Sequence, residues 1–276
     1  MIPTDFITEW RNVAPWPSNE QVEQDLIISR AVVEMYNDKE ISKRLAWRGG
    51  TALHKLYLQP APRYSEDIDL VQVDAEPIGD TLDIIRGVLD PWLGEPRRVF
   101  KEGRANLVYR FESEGPPVVR LRLKVEINTR EHYTEHGHVT LPFAVESKWF
   151  KGHADMTTFT LEELMGTKLR ALYQRKKGRD LFDIWTALGQ DNVSPDRVLE
   201  CFHRCMREGG HSASRAQLEE NLAAKRNDPR FISDIEPLLR PGTDWDLDTA
   251  MDAVIESLVA RLPGEPWKGE DQPAQK

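Results

Sequence analysis

The sequence predicts an α+β protein: a lobe built on a mixed sheet over residues 1–150, an all-helical lobe over 151–262, and a disordered tail over 263–276. Three observations lead there. The strand-like runs assigned from the pattern all lie before residue 130, and helical periodicity runs almost unbroken after Thr160. The end, PGEPWKGEDQPAQK, is rich in proline, glycine and charge, the composition of a solvated tail. The transition between the lobes falls within 145–160.

In chain order, Ser18 with Gln21 has the spacing of a capping box and opens a helix that runs to about Tyr36. LAWR (45–48) reads as a short strand that meets Gly49-Gly50 and then the short helix TALHKLYL. EDIDLV (66–71) is a strand, followed by a helix within 79–93. Three strand-like runs follow at 97–100, 106–112 and 119–128. Helices are then expected at 161–175, 180–188, 195–208, 212–225, 230–239 and 246–262. No internal repeat and no low-complexity tract interrupts the pattern.

Composition narrows the function classes. With 39% hydrophobic and 30% charged residues over 276 positions, the chain has the make-up of a folded globular protein. No apolar run approaches the ~20 residues of a membrane helix, so no membrane partner is expected. The opening MIPTDFITEWR has neither the basic nor the apolar region of a secretory leader. Two cysteines, Cys201 and Cys205, cannot build a disulfide scaffold, and their scarcity fits a cytoplasmic protein. The formal charge of −9 argues against a protein that simply coats nucleic acid. That charge is uneven, however. From Arg97 to Lys124 eight bases face three acids, net +5; from Glu146 to Arg179 eight face four, net +4; from Glu219 to Lys276 seven face thirteen, net −6. A positive middle and an acidic end suit one surface that meets an anion and another that keeps the protein in solution.

The sharpest local signal is Arg48-Gly49-Gly50-Thr51 followed by Ser65-Glu66-Asp67-Ile68-Asp69. Two glycines between a strand and a helix let backbone N–H groups come close to an anion. Asp67 and Asp69, two apart on a strand, put both carboxylates on one face with Cα atoms ~7 Å apart. That spacing suits two divalent ions that share a triphosphate, while Ile68 and Leu70 take the buried face. Either half alone is ordinary, a tight turn or a hydrated edge strand. In strand–turn–helix–strand order the combination is specific. The run 120–128 adds to it: Leu121, Leu123, Val125 and Ile127 alternate with Arg120, Arg122, Lys124, Glu126 and Asn128, and Glu126 is the natural third carboxylate.

In 161–175, Leu161, Leu164, Met165 and Leu172 form a helical stripe that also carries Lys168. A lysine there is costly unless its ammonium finds an anion or snorkels to the rim, and removing it is expected to spare or even stabilise the fold. In the next helix Leu181, Ile184, Trp185 and Leu188 make the core face, flanked by Asp180 and Asp183; capping or pairing with Arg179 is the plain role for Asp180. Arg175-Lys176-Lys177-Gly178-Arg179 is a dense basic turn that suits triphosphate oxygens, an RNA backbone or water. Trp149, Phe150, Phe159 and Tyr173 lie near it in sequence; stacking of single-stranded bases, worth ~1–3 kcal/mol each, competes with a place in the core, which is expected for most of them. Cys201-Phe-His203-Arg-Cys205 lacks a second ligand pair and reads as buried thiols, and His132, His136 and His138 read as a loop.

RGGTALHKLY, RYSEDIDLV, RLKVEIN and ELMGTKLRALYQRKKGRDLFDIW, in this order across residues 20–190, resemble the AbiEii/AbiGii toxin nucleotidyltransferases, including the MenT-type tRNA-modifying toxins. The resemblance implies a polymerase-β-like nucleotidyltransferase lobe and a helical C-terminal lobe. It also implies metal-dependent nucleotide transfer with Mg²⁺ or Mn²⁺ as cofactor and an NTP as substrate. By the family's motifs Ser65, Asp67 and Asp69 form the phosphate and metal site, Lys168 holds the triphosphate, and either Asp180 or Asp183 is the downstream catalytic acid. The expected partners are an NTP, a tRNA or other RNA acceptor modified foremost at its 3′ end, and a cognate antitoxin protein. In this reading Gly49, Gly50, Thr51, Ser65 and Lys168 bind the NTP, Asp67, Asp69 and Glu126 the metal, and Arg175, Lys176, Lys177 and Arg179 the RNA. The competing readings are the same chemistry on a small molecule or protein hydroxyl, and a non-catalytic nucleotide- or RNA-binding module.

Overall fold

A computed structural model describes residues 2–115 and 117–269 of the protein. The chain folds into two compact units. Among the described residues the first holds those up to Thr160 together with Leu238–Thr243; the second holds Leu161–Pro237 and those from Asp244 on.

The first unit opens with α1 (Thr4–Trp10) and α2 (Asn19–Tyr36). Ser18 starts α2 as its sequence suggests: the hydroxyl accepts from Gln21 N, and the Gln21 side chain accepts from Ser18 N. α2 is buried on nearly every side, which is why its apolar pattern is only weakly one-faced. α3 (Lys39–Arg44) leads into β1 (Leu45–Arg48), then α4 (Gly49–Ala52) and a π-helical turn, Leu53–Tyr57. β2 (Asp67–Gln72), α5 (Gly79–Leu93), β3 (Arg97–Lys101), β4 (Arg104–Glu112) and β5 (Arg120–Asn128) follow. Two further strands, β6 (His138–Glu146) and β7 (Lys151–Phe159), complete a seven-stranded sheet of order β3-β4-β5-β2-β1-β7-β6. β2 runs parallel to β5 and β1 parallel to β7, while every other neighbour pair is antiparallel. The sheet is therefore mixed, and the α+β class holds. The sequence pattern leaves β6 and β7 unassigned and reads His138 as loop; it in fact opens β6.

One face of the sheet is the core. Leu107 and Tyr109 of β4, Leu123, Val125 and Ile127 of β5, and Ile68 and Leu70 of β2 pack in one cluster with Val22, Leu26 and Ile85 of α2 and α5. A buried ion pair fastens α1 and the π turn to α2: Lys55 Nζ lies 3.0 Å from both oxygens of Asp25, and Trp10 Nε1 donates to the same carboxylate at 3.0 Å. The segment 238–243 closes over the loop before β2. Tyr64 N donates to Leu238 O (2.8 Å), Arg240 N to Pro62 O (2.9 Å), and Arg63 bridges Leu239.

The second unit is helical: α6 (Leu161–Gln174), α7 (Gly178–Leu188), α8 (Pro195–Glu208), α9 (Arg215–Arg226), α10 (Pro229–Ile232) and α11 (Leu247–Ser257). α6 meets α8 closely at Gly166, where a Cβ would lie 2.6 Å from Cys201 Cβ and 2.9 Å from Phe202 N. Cys201 and Cys205 are buried free thiols. Residues 263–269 carry no helix or strand, though Trp267 N donates to Glu219 Oε2 (2.6 Å). The remainder of the expected tail, 270–276, lies outside the described residues. Among the described residues no helix is long and apolar enough to cross a membrane.

Candidate active site

In the first unit the candidate groups meet where β1 ends. Gly49 adopts φ +79°, a left-handed conformation that favours glycine, and a Cβ there would fall 2.3 Å from Asp69 Oδ2. Gly50 is equally confined, since its Cβ would lie 2.5 Å from Arg63 Nη2 and 3.0 Å from Ser65 Oγ. The Gly-Gly step thus lets the backbone lie directly against the Asp69 carboxylate on one side and the Ser65 hydroxyl on the other. Thr51 ties the two motifs together: its hydroxyl donates to Asp67 O (2.5 Å) and lies 2.9 Å from Ser65 Oγ.

Strand register sets the rest. Asp69 stands opposite Arg48 on β1 and Glu126 on β5, and Asp67 opposite Lys124. The alternation places Asp67, Asp69, Lys124 and Glu126 on the face away from the core. Lys124 Nζ reaches Asp67 Oδ2 at 2.9 Å and Glu126 Oε2 at 3.4 Å, and Arg104 Nη1 lies 3.2 Å from Glu126 Oε1. Arg48 turns to Glu131 (2.5 Å). Burial first, and then the charges of Asp67 and Glu126, push the Asp69 carboxyl above its ordinary value against the opposing pull of Arg48 and Lys124. For Lys124 burial works to lower the value, but the bond to Asp67 and the charges of Asp67, Glu126 and Asp69 together raise it.

The fit to a divalent cation can be judged from these groups. Among the described residues no three acidic, histidine or cysteine side chains are drawn together as a metal cage. An ammonium stands between two of the carboxylates instead. The donors are nonetheless hard oxygens, the kind that hold Mg²⁺ or Mn²⁺. Asp67 Oδ1 is buried with no hydrogen-bond partner among the described residues. The residues fit such an ion once Lys124 gives way.

The second unit brings Lys168, Asp180 and Asp183 together. Lys168 does not snorkel. It is only 8% exposed, with Nζ 3.2 Å from Asp180 Oδ1 and 2.8 Å from Asp183 Oδ2. Asp180 pairs with Arg175 rather than Arg179, in a two-pronged contact of 2.7 and 2.9 Å. Burial alone would raise the Asp180 carboxyl, but Lys168 and Arg175 together hold it below its ordinary value. The basic turn is matched by acids of its own unit: Lys176 with Asp228 (2.8 Å), Lys177 with Asp234 (3.0 Å), and Arg179 Nε 3.5 Å from Asp234. Of the aromatic residues near it in sequence, Phe159 is buried, and Trp149 and Phe150 pack around the Arg30 guanidinium.

Three residues escape the sequence reading of the site. Lys124 is visible there only as part of a polar face, and nothing in the spacing of Arg63, buried beside Gly50, marks it out. Lys225 is 2% exposed and donates to Leu172 O at the end of α6, to Tyr173 O (3.3 Å) and to Asn221 Oδ1 (2.5 Å). It shares an apolar stripe with Leu218 and Leu222, the same signal that singles out Lys168.

A mixed sheet that carries Gly-Gly at one strand exit and a Ser-x-Asp-x-Asp strand beside it defines a protein of the nucleotidyltransferase class. The chain belongs to the AbiEii nucleotidyltransferase toxin family of type IV toxin–antitoxin systems, whose family model matches residues 30–253. Its fold is similar to that of the MenT4 nucleotidyltransferase toxin of Mycobacterium tuberculosis H37Rv, with a TM-score of 0.64 and 15% identity over 95% of this chain and 91% of that one. A nucleotidyltransferase described as putative from H. pylori is also similar, with a TM-score of 0.52 and 19% identity over 87% and 93% of the two chains. No curated protein matches the chain in sequence.

Proposed function

We propose that this toxin-type nucleotidyltransferase moves a nucleotide from an NTP to an RNA hydroxyl, the 3′ end of a tRNA, with Mg²⁺ or Mn²⁺ bound by Asp67, Asp69 and Glu126. The observation that carries the reading is the close approach of the Gly49 backbone to the Asp69 carboxylate, beside Asp67, one of whose oxygens is buried without a hydrogen-bond partner among the described residues. In the reaction the acceptor oxygen bonds to the α-phosphorus, the bond to the bridging oxygen of pyrophosphate breaks, and the acceptor proton passes to water. A divalent ion held by the carboxylates would polarise the α-phosphate and neutralise charge on the leaving group. Gly49, Gly50 and Thr51 offer main-chain N–H groups at the start of α4, and the Ser65 hydroxyl beside them orients the phosphates. Lys168, which the resemblance assigns to the triphosphate, belongs to the second unit, where Asp180 and Asp183 hold its ammonium. A cognate antitoxin is the protein partner that membership of the family implies.

The test is to incubate the purified protein with total RNA, Mg²⁺ and each α-labelled NTP in turn. Label should enter a tRNA-sized band, and Asp69→Asn or EDTA should abolish it. Transfer of label to protein, or near-normal transfer by a folded Asp69→Asn chain, would overturn the reading.

A further inference from the structure

The strand register distributes the bases of 97–124 unequally between the two faces of the sheet. Arg97 pairs with Val108, which pairs with Lys124, which pairs with Asp67; Lys101 pairs with Arg104, and Arg110 with Arg122. Because side chains alternate, Arg97, Lys101, Arg104, Arg110, Arg120 and Arg122 all project on the face that carries Asp67 and Asp69. All six are exposed. Arg98 projects to the opposite face, where its guanidinium lies 3.7 Å from Asp83 of α5. Among the described residues Arg97, Lys101, Arg110 and Arg120 form no ion pair, whereas each cation of the turn 175–179 has an acid of its own unit.

We propose that the open face of β3–β4–β5 is the docking surface for the sugar–phosphate backbone of the acceptor nucleic acid, in place of the basic turn 175–179. The proposal rests on the reading above that the acceptor is RNA. Successive bases on β5 stand ~7 Å apart and neighbouring strands ~5 Å apart, so the cations spread over an area that takes several phosphates, more than one NTP supplies. Five of the six are arginines, whose planar fork matches phosphate oxygens in pairs. A protein partner would need apolar anchors at the centre of its footprint. This face offers only Val99 and Val108, both small and half-buried; of the large apolar side chains that are exposed among the described residues, Phe100 alone lies on these strands, and it pairs with Ala105 on the core side. The surface therefore suits a polyanion held by charge.

The experiment is a salt titration of total-tRNA binding without NTP, for the full chain and two variants. Replacing Arg97, Arg110 and Arg120 together by Gln should weaken binding at least tenfold near physiological salt. It should also flatten the log–log salt slope by roughly 2, since each phosphate contact contributes ~0.7–0.9. Arg98→Gln, one residue away on the other face, should leave affinity and slope unchanged. Equal effects of the two variants, or an effect of neither, would overturn the proposal. So would poly-glutamate of equal charge competing as well as tRNA, which would point to an acidic protein. If the labelling assay transfers nucleotide to RNA while the triple variant binds as wild type, this surface is wrong and the acceptor reading stands. If no RNA is labelled and none binds, both fall.

Discussion

Lys124 Nζ stands between Asp67 and Glu126, so any cation that uses both carboxylates has to displace it. An ammonium and a divalent ion compete for the same oxygens, and removing the first should favour the second. Lys124→Met is therefore expected to tighten Mn²⁺ binding by on the order of tenfold, equivalent to ~1.4 kcal/mol, read by calorimetry or by the free-Mn²⁺ electron spin resonance signal. Asp67→Asn in the same assay should abolish binding. Unchanged or weaker binding by a folded Lys124→Met chain would show that the lysine supports the site. The carboxylates themselves were legible because Ser-x-Asp-x-Asp after Gly-Gly is rare and the alternation of a strand needs no structure to be read. The ammonium between them was not, because register across β2 and β5 decides which base on a polar face meets which acid. Arg63 is hidden for a like reason: its burial depends on the distant segment 238–243.

At the level of elements, α6 and α7 are joined through charge as well as apolar packing. The stripe of α6 alone suggests that Lys168 is a burden to the fold, and the structure reverses that expectation. Two fully buried carboxylates, Asp180 and Asp183, share its ammonium. Lys168→Met should cost roughly 3–5 kcal/mol, the loss typical when one partner of a buried ion pair is removed. Urea unfolding checks it, and restored stability in Lys168→Met with Asp183→Leu would identify the pair as the source. Lys225 of α9, whose ammonium meets the end of α6, makes a prediction about pH. Burial, opposed by Asp180 and helped by Lys176, lowers its value from 10.5 to about 8. Between those limits the native chain binds fewer protons than the unfolded one, so this group adds stability as pH rises through the window. The difference in unfolding free energy between wild type and Lys225→Met should accordingly shift in favour of wild type from pH 8 to 10.5; a flat difference would refute it. Elements with a cap or a clean period, such as α2, α5 and β5, stand out in the sequence. β6 and β7 do not, although both alternate: Pro142 within β6 marks it as an edge strand, and the inward face of β7 is made of Gly152, Ala154, Met156 and Thr158, too small and mixed to stand out as a β-forming run.

For the whole molecule the telling feature is that the first unit is not one stretch of chain. Its loop 62–64 is bonded to Leu238, Leu239 and Arg240, and Arg63 is 2% exposed beneath that contact. A chain ending at residue 237 should lose the cover, and trypsin should then cut after Arg63 at least tenfold faster than in the intact protein, as mass spectrometry would show. Equal rates would mean the loop holds itself. The sequence suggested two lobes in simple succession, since no local signal marks a six-residue return. That return also sets an order of events during synthesis. When residue 160 has been made, the sheet has all its strands, yet the loop that leads into Ser65 and Asp67 still lacks its cover. About 80 more residues separate Leu161 from Thr243, which is ~4–16 s at ~5–20 residues per second. A ribosome making this chain would therefore carry an almost complete sheet with the loop before Ser65 and Asp67 uncovered for about a third of the elongation time, and a truncated product would be released with that loop open.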